Sequence, residues 1–311
     1  MNNNQQPLVG IALMVLSTVS LAALDTSGKW IMAMGLPLFV MSWVRYIVHL
    51  IIVSALIIPT YGFTVVKTQR LKAQIMRGLA MLLSSLSFFT ALHFLPQADA
   101  TAINFLAPLI VLAIAPWILK EPPKISRWVA ALTAFGGVLL IIRPSAGLDP
   151  VGVFFGLVTA LLFAVQYIIT RRLANESSFT TLIWSGIVGF VSLSLLMPFI
   201  LGQTLPLLTS FGWFEWLVMF CTGIFGTLGH LMQIQAYRKA PASLLSPFVY
   251  SKIISAALFG WLVWKQLPGL LSWLGIIIIC VSGITITLVE MHQDNRQKSL
   301  QKTKKVTKSP T

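Results

Sequence analysis

Residues 8–28, LVGIALMVLSTVSLAALDTSG, form a long apolar run that contains a single charged side chain, Asp25. An α-helix needs about 20 mostly apolar residues to cross the ~30 Å hydrocarbon core of a bilayer. Similar runs recur along the chain, so the sequence predicts an all-α integral membrane protein. Its ten predicted spans are residues 8–28, 37–59, 73–93, 97–118, 126–142, 150–170, 180–201, 213–236, 241–264 and 268–290.

The composition of the whole chain agrees with a lipid environment. Hydrophobic residues make up 57% of the 311 residues and charged residues only 10%, whereas a typical soluble protein has about 25% charged residues. The two cysteines, Cys221 and Cys280, fall in apolar runs and are interpreted as small hydrophobic side chains. The sequence therefore predicts no disulfide, no metal site and no cofactor.

Positive charge is concentrated on one side of the predicted membrane. The chain has 22 Lys and Arg against 8 Asp and Glu, a net charge of +14. Every second loop is basic, and the loop between the second and third spans is assigned Lys67, Arg70, Lys72 and Arg77. The positive-inside rule places such loops in the cytoplasm. Residues 1–7 and a disordered basic tail at 291–311 are then both cytoplasmic.

The opposite side receives few basic residues. Only Lys29, Arg143 and Lys265 are assigned to it. This alternation explains the net charge by membrane topology, and the chain has no basic face or motif that would indicate a nucleic-acid partner. The lipid bilayer is the predicted partner, and the predicted location is the inner (plasma) membrane of a bacterium, with multiple passes.

An internal repeat divides the chain into two units, residues 8–143 and 150–290. An offset of 145 pairs glycines 78 and 223, alanines 91 and 236, and prolines 96 and 241. An offset of 142 pairs glycines 10 and 152. Each unit contains five spans, an odd number, so the second unit enters the membrane from the opposite side. Such inverted repeats are typical of secondary transporters, with a substrate site at the repeat interface.

Several short motifs resemble the drug/metabolite transporter superfamily, EamA type. They are the Arg45-Tyr46 pair, the Lys120-Glu121-Pro122 turn and the repeated Pro-Ala entry into spans four and nine. The resemblance implies ten helices around a central cavity and alternating access. Leu24-Asp25-Thr26 with Lys29, followed by Trp43-x-Arg45, resembles the branch that carries metabolites such as riboflavin or S-adenosylmethionine. The second unit departs from the pattern, because Gln266 stands where the first unit has Glu121.

Charged residues within spans are the first candidates for a binding site, because burying a charge in lipid is costly. Asp25 lies ~22 Å along span one and Arg45 ~12 Å along span two from the other side. With Lys29, one helical turn from Asp25, they are predicted to form a cluster. The alternative is a structural ion pair that joins spans one and two.

Lys252 lies ~17 Å along span nine, near the membrane midplane. From there its ammonium group cannot easily reach water. It is predicted to face the cavity, where it would suit a carboxylate or phosphate of the substrate. The alternative is a bond to backbone carbonyls that Pro247 leaves free.

Polar and aromatic residues at membrane depth complete the predicted binding site. Each of the polar ones has a simpler alternative, a hydrogen bond between neighbouring helices, and a tryptophan can instead anchor the membrane interface. Two tryptophans are predicted to stack on a planar ring of the substrate. The full set is Asn104, Gln166, Tyr167, His230, Gln233 and Tyr250 with Trp43 and Trp184.

The predicted function is a secondary transporter, an alternating-access carrier or exporter of a small amphiphilic or zwitterionic metabolite. An amino acid, a nucleoside-like compound or a vitamin would fit. The alternatives are an intramembrane enzyme, a channel or a structural membrane protein. No Walker A or His-Glu-x-x-His motif is present, and a single buried acid does not suit an enzyme. Coupling to a proton or a counter-substrate, the direction of transport and the oligomeric state stay open.

Overall fold

The computed structural model describes residues 6–107, 109–111, 114, 125–142, 147–173, 175–240, 245 and 248–306. Pro108, the Lys120-Glu121-Pro122 turn, Arg143 and Pro247 lie outside these residues. In the described ranges the chain forms α-helices and a 3₁₀ helix at Phe63–Val66, without a β-strand. The helices are α1 (Pro7–Ala33), α2 (Leu38–Tyr61), α3 (Leu71–Phe94), α4 (Gln97–Asn104), α5 (Ile125–Ile142), α6 (Pro150–Arg172), α7 (Ser178–Ser194), α8 (Met197–Ser210), α9 (Trp213–Lys239), α10 (Ser251–Trp264) and α11 (Leu270–Val306).

Local sequence sets several helix ends. Helix α6 begins with Pro150, which lacks the N–H that would be unpaired there. The carboxylate of the preceding Asp149 accepts hydrogen bonds from the backbone of Val151 at 2.8 Å and Gly152 at 3.2 Å, as an N-cap residue does. Helix α2 ends at Gly62, whose φ of 68° is accessible to glycine at little cost.

Helices α1, α2, α3, α6 and α9 are long and apolar enough to cross a membrane. Shorter apolar helices at Trp128–Ile141, Ser251–Trp264 and Leu270–Ile286 coincide with further predicted spans. The predicted span at 180–201 is broken, because α7 and α8 meet at an angle of 81°. Pro198 lies in the first turn of α8 and cannot continue the hydrogen bonding of α7. The chain is an all-helical, multi-pass membrane protein.

Three pairs of helices form the main packing contacts. Helix α1 packs along α9, α3 along α6, and α5 along α11. Glycines permit the close approach: a Cβ at Gly137 would lie 2.9 Å from the carbonyl oxygen of Gly275. Likewise, a Cβ at Gly10 would lie 2.5 Å from the Cβ of Ala240. Glycine is required at these positions by the close helix contact, and not by a backbone conformation that favours glycine.

The helices alternate in direction, which gives the bundle two distinct ends. At the first, the backbone of Gln6 bonds to Lys239 at 3.1 Å, and Nη1 of Arg70 donates to the carbonyl of Arg172 at 2.6 Å. Because this end carries these basic residues, we call it the basic end. At the opposite end, Nζ of Lys29 donates to the carbonyl of Leu95 at 2.7 Å.

Two elements differ from the sequence prediction. Helix α11 continues to Val306, where disorder was expected from residue 291; residues 291–306 contain no Gly or Pro to end the helix. Arg77 was assigned to a loop but is the seventh residue of α3. It therefore lies about 9 Å along that helix, among the membrane-spanning helices.

Candidate functional site

A buried ion pair joins the first and tenth helices. Nζ of Lys252 on α10 lies 2.9 Å from Oδ2 of Asp25 on α1, and the two side chains are 18% and 4% exposed. The hydroxyls of Thr18 and Ser251 are 2.7 Å apart and link the same two helices. The structure thus places Lys252, rather than Lys29 or Arg45, within ion-pair distance of Asp25.

Helix α4 completes the surroundings of Asp25. The hydroxyl of Thr26 donates to Oε1 of Gln97 at 2.9 Å, and Nε2 of Gln97 donates to the carbonyl of Ala22 at 2.9 Å. These bonds fix the turn of α1 that carries Asp25. Because a buried charge is costly unless it is paired and hydrogen-bonded, Asp25 and Lys252 depend on each other in this position.

Lys29 and Arg45 form no ion pair with Asp25 and donate to neutral groups, although the charge of Arg45 acts on Asp25 and that of Asp99 acts on Lys29. Lys29 donates to Leu95 and places its ammonium 5.0 Å from the ring centre of Trp264. Nη2 of Arg45 donates to Ser85 at 2.8 Å, and its guanidinium lies 5.5 Å from the ring of Phe89. Nε of Arg45 is buried without a hydrogen-bond partner. The prediction that Asp25, Lys29 and Arg45 form one binding cluster stays a prediction: Asp25 is ion-paired with Lys252, and Arg45 is near enough for its charge to act on Asp25.

Aromatic rings flank the ion pair. The ring of Phe88 lies 5.3 Å from Nζ of Lys252. Tyr250, two residues earlier in the chain, stacks on Phe105 with ring centres 4.9 Å apart and planes inclined by 28°. A side chain at Gly283 on α11 would collide with the hydroxyl of Tyr250. Tyr250 is thus held between α4 and α11, next to Lys252.

The remaining predicted residues divide into two groups. Oδ1 of Asn104 and Oε1 of Gln166 are buried without a hydrogen-bond partner, so both oxygens are available to a ligand. Nε1 of Trp43 instead donates to Ser194 at 2.9 Å, and Nε1 of Trp184 to the carbonyl of Val66 at 2.9 Å. Tyr167 is 45% exposed and stacks on Phe163. The two tryptophan N–H groups and the Tyr167 ring therefore already have partners within the protein.

His230 and Gln233 line a cavity of about 210 Å³ at the basic end, enclosed by α3, α6, α7 and α9. Arg77 lies in the same wall: its Nε donates to Thr170 at 2.8 Å, and its Nη1 donates to Ser185. The sequence analysis missed Arg77. The helical pattern of α3, which begins at Leu71, was the signal that could have placed it inside the bundle.

His49 is a second residue that the sequence analysis passed over. It is buried on α2, and its Nδ1 lies 2.9 Å from the hydroxyl of Thr227 on α9. Nε2 lies 3.4 Å from the carbonyl of Leu182 on α7. Both ring nitrogens thus have partners. We therefore interpret His49 as a residue that links α2, α7 and α9, and not as a ligand-binding residue.

A larger cavity of about 560 Å³ lies between α5 and α11, away from the ion pair. Its lining is mostly aliphatic, with residues such as Val129, Ile277 and Val281. Within the described residues, no three His, Cys, Asp or Glu side chains are close enough together to hold a metal ion. The ion pair and the cavity at the basic end are thus more polar than this larger cavity.

The sequence profile of the EamA-like transporter family matches residues 8–143 and, separately, residues 150–288. The chain belongs to the EamA-like transporter family. It is therefore a membrane transporter of small metabolites and not an enzyme.

Two relatives that are named for a substrate are similar to this chain over almost its whole length. An S-adenosylmethionine uptake transporter of Rickettsia bellii is 27% identical over 285 residues, covering 91% of this chain and 94% of that protein. A riboflavin transporter of Vibrio cholerae is 26% identical over 310 residues, covering 96% and 100%. An uncharacterized transporter of Helicobacter pylori is 31% identical over 68% of this chain and 70% of its own length.

A solved crystal structure shares the fold. It aligns with a TM-score of 0.61 at 17% identity, covering 92% of this chain and 98% of that chain. At this identity the likeness concerns the fold alone.

Proposed function

We propose that this chain is a ten-span carrier that moves a small zwitterionic or amphiphilic metabolite by alternating access, through a central path that contains Asp25 and Lys252. The observation that carries the proposal is the 2.9 Å ion pair between these residues in the membrane core. A carboxylate and an ammonium that neutralise each other in the empty carrier offer opposite charges to a zwitterion. The substrate's own charges would replace the internal partners.

The ten spans would be two inverted repeats, and the helix contacts support this arrangement. Under the repeat, α1 and α6 correspond, as do α9 and α3, so the α1–α9 contact is the counterpart of α6–α3. A Cβ at Gly78 would collide with Val188, and a Cβ at Gly223 with Val48. Glycines 78 and 223 are repeat-related, and the two valines lie on α7 and α2, which also correspond.

Contacts at the start of the first helix of each proposed repeat also correspond. A Cβ at Gly10 would contact Ala240, and a Cβ at Gly152 would contact Leu95. Residues 10 and 152 differ by the repeat offset of 142, and 95 and 240 differ by 145. Repeated close contacts between corresponding residues support two units, 8–143 and 150–290, that face opposite directions.

The substrates named for two relatives indicate which chemical groups a substrate of this chain would carry. S-adenosylmethionine, named for the Rickettsia bellii protein, carries both positive and negative charges and a planar ring. Asp25 would hold a cationic group and Lys252 a carboxylate, and the free oxygens of Asn104 and Gln166 would accept hydrogen bonds. Riboflavin, named for the Vibrio cholerae protein, lacks the charges of a zwitterion, so we favour a substrate with both signs.

The basic end is proposed to face the cytoplasm of a bacterium and the bundle to lie in the inner membrane. Arg70, Arg172 and Lys239 lie at helix ends on this side, as the positive-inside rule requires of the cytoplasmic side. A tag at either terminus that is digested by protease in inside-out vesicles, but not in intact spheroplasts, would agree with this orientation.

Transport by purified protein in liposomes tests the proposal. The assay would compare labelled S-adenosylmethionine, riboflavin, amino acids and nucleosides in wild type, Asp25→Asn and Lys252→Gln. Losing a hydrogen bond to a charged group costs about 1.5–3 kcal/mol, so substrate affinity should fall roughly 10- to 100-fold in either variant. Arg70→Gln, an exposed arginine at the basic end, is the matched control and should transport normally.

A charge-swapped double variant, Asp25→Lys with Lys252→Asp, separates binding from structure. A purely structural pair would tolerate the swap and transport at the wild-type rate, and this result would refute the binding role. A folded but inactive swap would agree with direct recognition of the substrate. No transport of any compound by a well-folded wild type would refute the substrate class.

A further inference from the structure

We propose that the cavity at the basic end is an oxyanion-binding site, in which Arg77 binds a carboxylate or phosphate group of a small metabolite. The inference rests on the proposed function in one respect, since it describes one end of the same transport path. The site is distinct from Asp25 and Lys252. It is formed by α3, α6, α7 and α9, whereas the ion pair joins α1 and α10.

Arg77 is held in place but keeps donors free. Its Nε donates to the hydroxyl of Thr170 and its Nη1 to the hydroxyl of Ser185. A guanidinium has five N–H donors in a fixed planar arrangement, and these two bonds use only two of them. Both hydroxyls are neutral, so they orient the guanidinium without cancelling its charge. The group is thus fixed in the cavity wall, with donors left for a ligand.

The charge of Arg77 has no acidic partner among the residues that the structure describes. A half-buried arginine within a membrane protein is normally paired with an acid or with backbone carbonyls. Glu176 also lines the cavity, and its Oε1 accepts a bond from the backbone of Gln69 at 3.1 Å. Arg77 forms no ion pair with Glu176 or another described acid, so its charge stays available to an anionic group in the cavity.

The other lining residues suit an oxyanion. His230 and Gln233 lie in the wall, and neither forms a side-chain hydrogen bond to a described residue. Each can donate to an oxygen. Arginine binds carboxylate and phosphate through two parallel N–H bonds. The cavity therefore combines one fixed cation and two adjacent polar side chains with the carboxylate of Glu176, whose Oε1 is bonded to the backbone of Gln69.

The size of the cavity limits what it would hold. Pockets that enclose a whole small molecule have volumes of roughly 300–1,000 Å³, and this cavity has about 210 Å³. It would hold one charged end group, with the rest of the metabolite extending toward the bundle centre or the exposed rim at Ser178. The proposed ligand is thus the oxyanion group of a metabolite that enters or leaves at the basic end.

Thermal unfolding of detergent-purified protein tests binding without any transport assay. Sodium phosphate and sodium acetate would be titrated separately against chloride at equal ionic strength. A ligand that binds only the folded state raises the melting temperature, here by about 2–3 °C at a tenfold excess over Kd. A rise with phosphate alone indicates a phosphate ligand, and a rise with acetate indicates a carboxylate.

Variants separate this effect from general stabilisation, because phosphate also stabilises proteins by exclusion from their surface. The shift should persist in Arg70→Gln and be lost in Arg77→Gln. If Arg77→Gln does not fold, Gln233→Leu keeps the arginine but replaces the amide donor with an apolar side chain of similar size, and it should weaken the shift. An equal shift in wild type and Gln233→Leu would overturn the proposal.

Thiol labelling provides a second measurement that keeps Arg77 intact. In a background of Cys221→Ser and Cys280→Ser, Ser178→Cys at the cavity rim would react with an anionic methanethiosulfonate, and phosphate or acetate should slow the reaction several-fold. Ser210→Cys, exposed at the other end of the bundle, should be unaffected. No shift and no protection would overturn the site whether or not the protein transports. Protection without transport would instead refute the proposed function and leave the site standing.

Discussion

Positions that correspond under the proposed repeat have different surroundings at the two ends of the bundle. At the basic end, Thr170 on α6 and Gln233 on α9 line an open cavity. The repeat offsets of 142 and 145 relate them to Gly28 on α1 and Phe88 on α3. At that opposite end, the corresponding space is filled by aromatic side chains. Phe88 and Phe89 are 4% and 1% exposed, and the ring of Phe89 occupies the position that a side chain on Gly28 would take.

This difference has a functional meaning under alternating access. If the two repeats can exchange conformations, a cavity at one end and a packed core at the other define a state open toward the basic end. Lys29 strengthens the closed end, since it links α1 to the end of α3 and to Trp264 at the end of α10. Under the proposed orientation, the structure would then represent the carrier open toward the cytoplasm.

The largest expected effect comes from the ion pair between the two ends. Lys252→Met leaves Asp25 buried without its partner, which should cost about 3–5 kcal/mol of unfolding free energy. Unfolding in a denaturing detergent would measure this. The double variant Asp25→Asn with Lys252→Met should recover most of the loss, and equal instability of the single and double variants would contradict a paired role.

Opening the closed end should have the next largest effect. Gly28→Ala places a methyl group where the Phe89 ring lies, and overpacking of this kind costs about 3 kcal/mol. Phe89→Leu in the same chain should relieve most of it. The double variant should also admit thiol reagents from the end opposite to the basic one, at a cysteine introduced at Ser85. Unchanged labelling there would argue against Phe89 as the closing group.

The proposed repeat predicts that equivalent glycines in its two units lose similar stability when each is replaced by alanine. Gly78→Ala and Gly223→Ala should each lose about 2 kcal/mol, because each methyl group would collide with a β-branched valine. Gly136→Ala is the control: a Cβ there meets no atom within 4 Å, and alanine should stabilise the helix by up to about 1 kcal/mol. Thermal melts that differ widely between the two variants would weaken the comparison.

The smallest effect concerns the link at the closed end. Lys29→Met removes the hydrogen bond to Leu95 and the contact with Trp264, at a cost of about 1.5 kcal/mol, the lower value for a hydrogen bond from a charged group. The population should shift toward the state open at that end. Thiol labelling of Ser85→Cys from outside would increase, while labelling of Ser178→Cys at the basic end would decrease. Parallel changes at both ends would indicate general loosening instead.

Much of the architecture was predictable because lipid imposes simple rules. Apolar runs of helical length predicted the multi-pass fold, and the offset between glycines 78 and 223 predicts the proposed repeat, which their similar contacts with valines support. The bend between α7 and α8 was missed, although Pro198 marks it. The helical extension of α11 was missed because a polar composition does not exclude a helix.

The sequence proposes members of the binding site but does not give their arrangement. Sequence selected Asp25 and Lys252, since charges are rare at membrane depth, but depth alone gives no rotation about a helix axis. Asp25 was therefore grouped with Lys29 and Arg45, which are near it in sequence or depth. Arg77 was misplaced because basic residues close to a helix end resemble topogenic loop charges.

The sequence by itself determined that the chain crosses lipid as several helices, because this depends on hydropathy. Loop charge and chemical identity predict the orientation of the chain and the candidate residues for a charged metabolite. Tertiary structure alone decided that Lys252 meets Asp25, that Phe89 fills the space beside Gly28 and that Arg77 faces an open cavity. The physical reason is that such contacts depend on how helices distant in sequence rotate and pack, and apolar helices in lipid have many acceptable packings that local sequence does not distinguish.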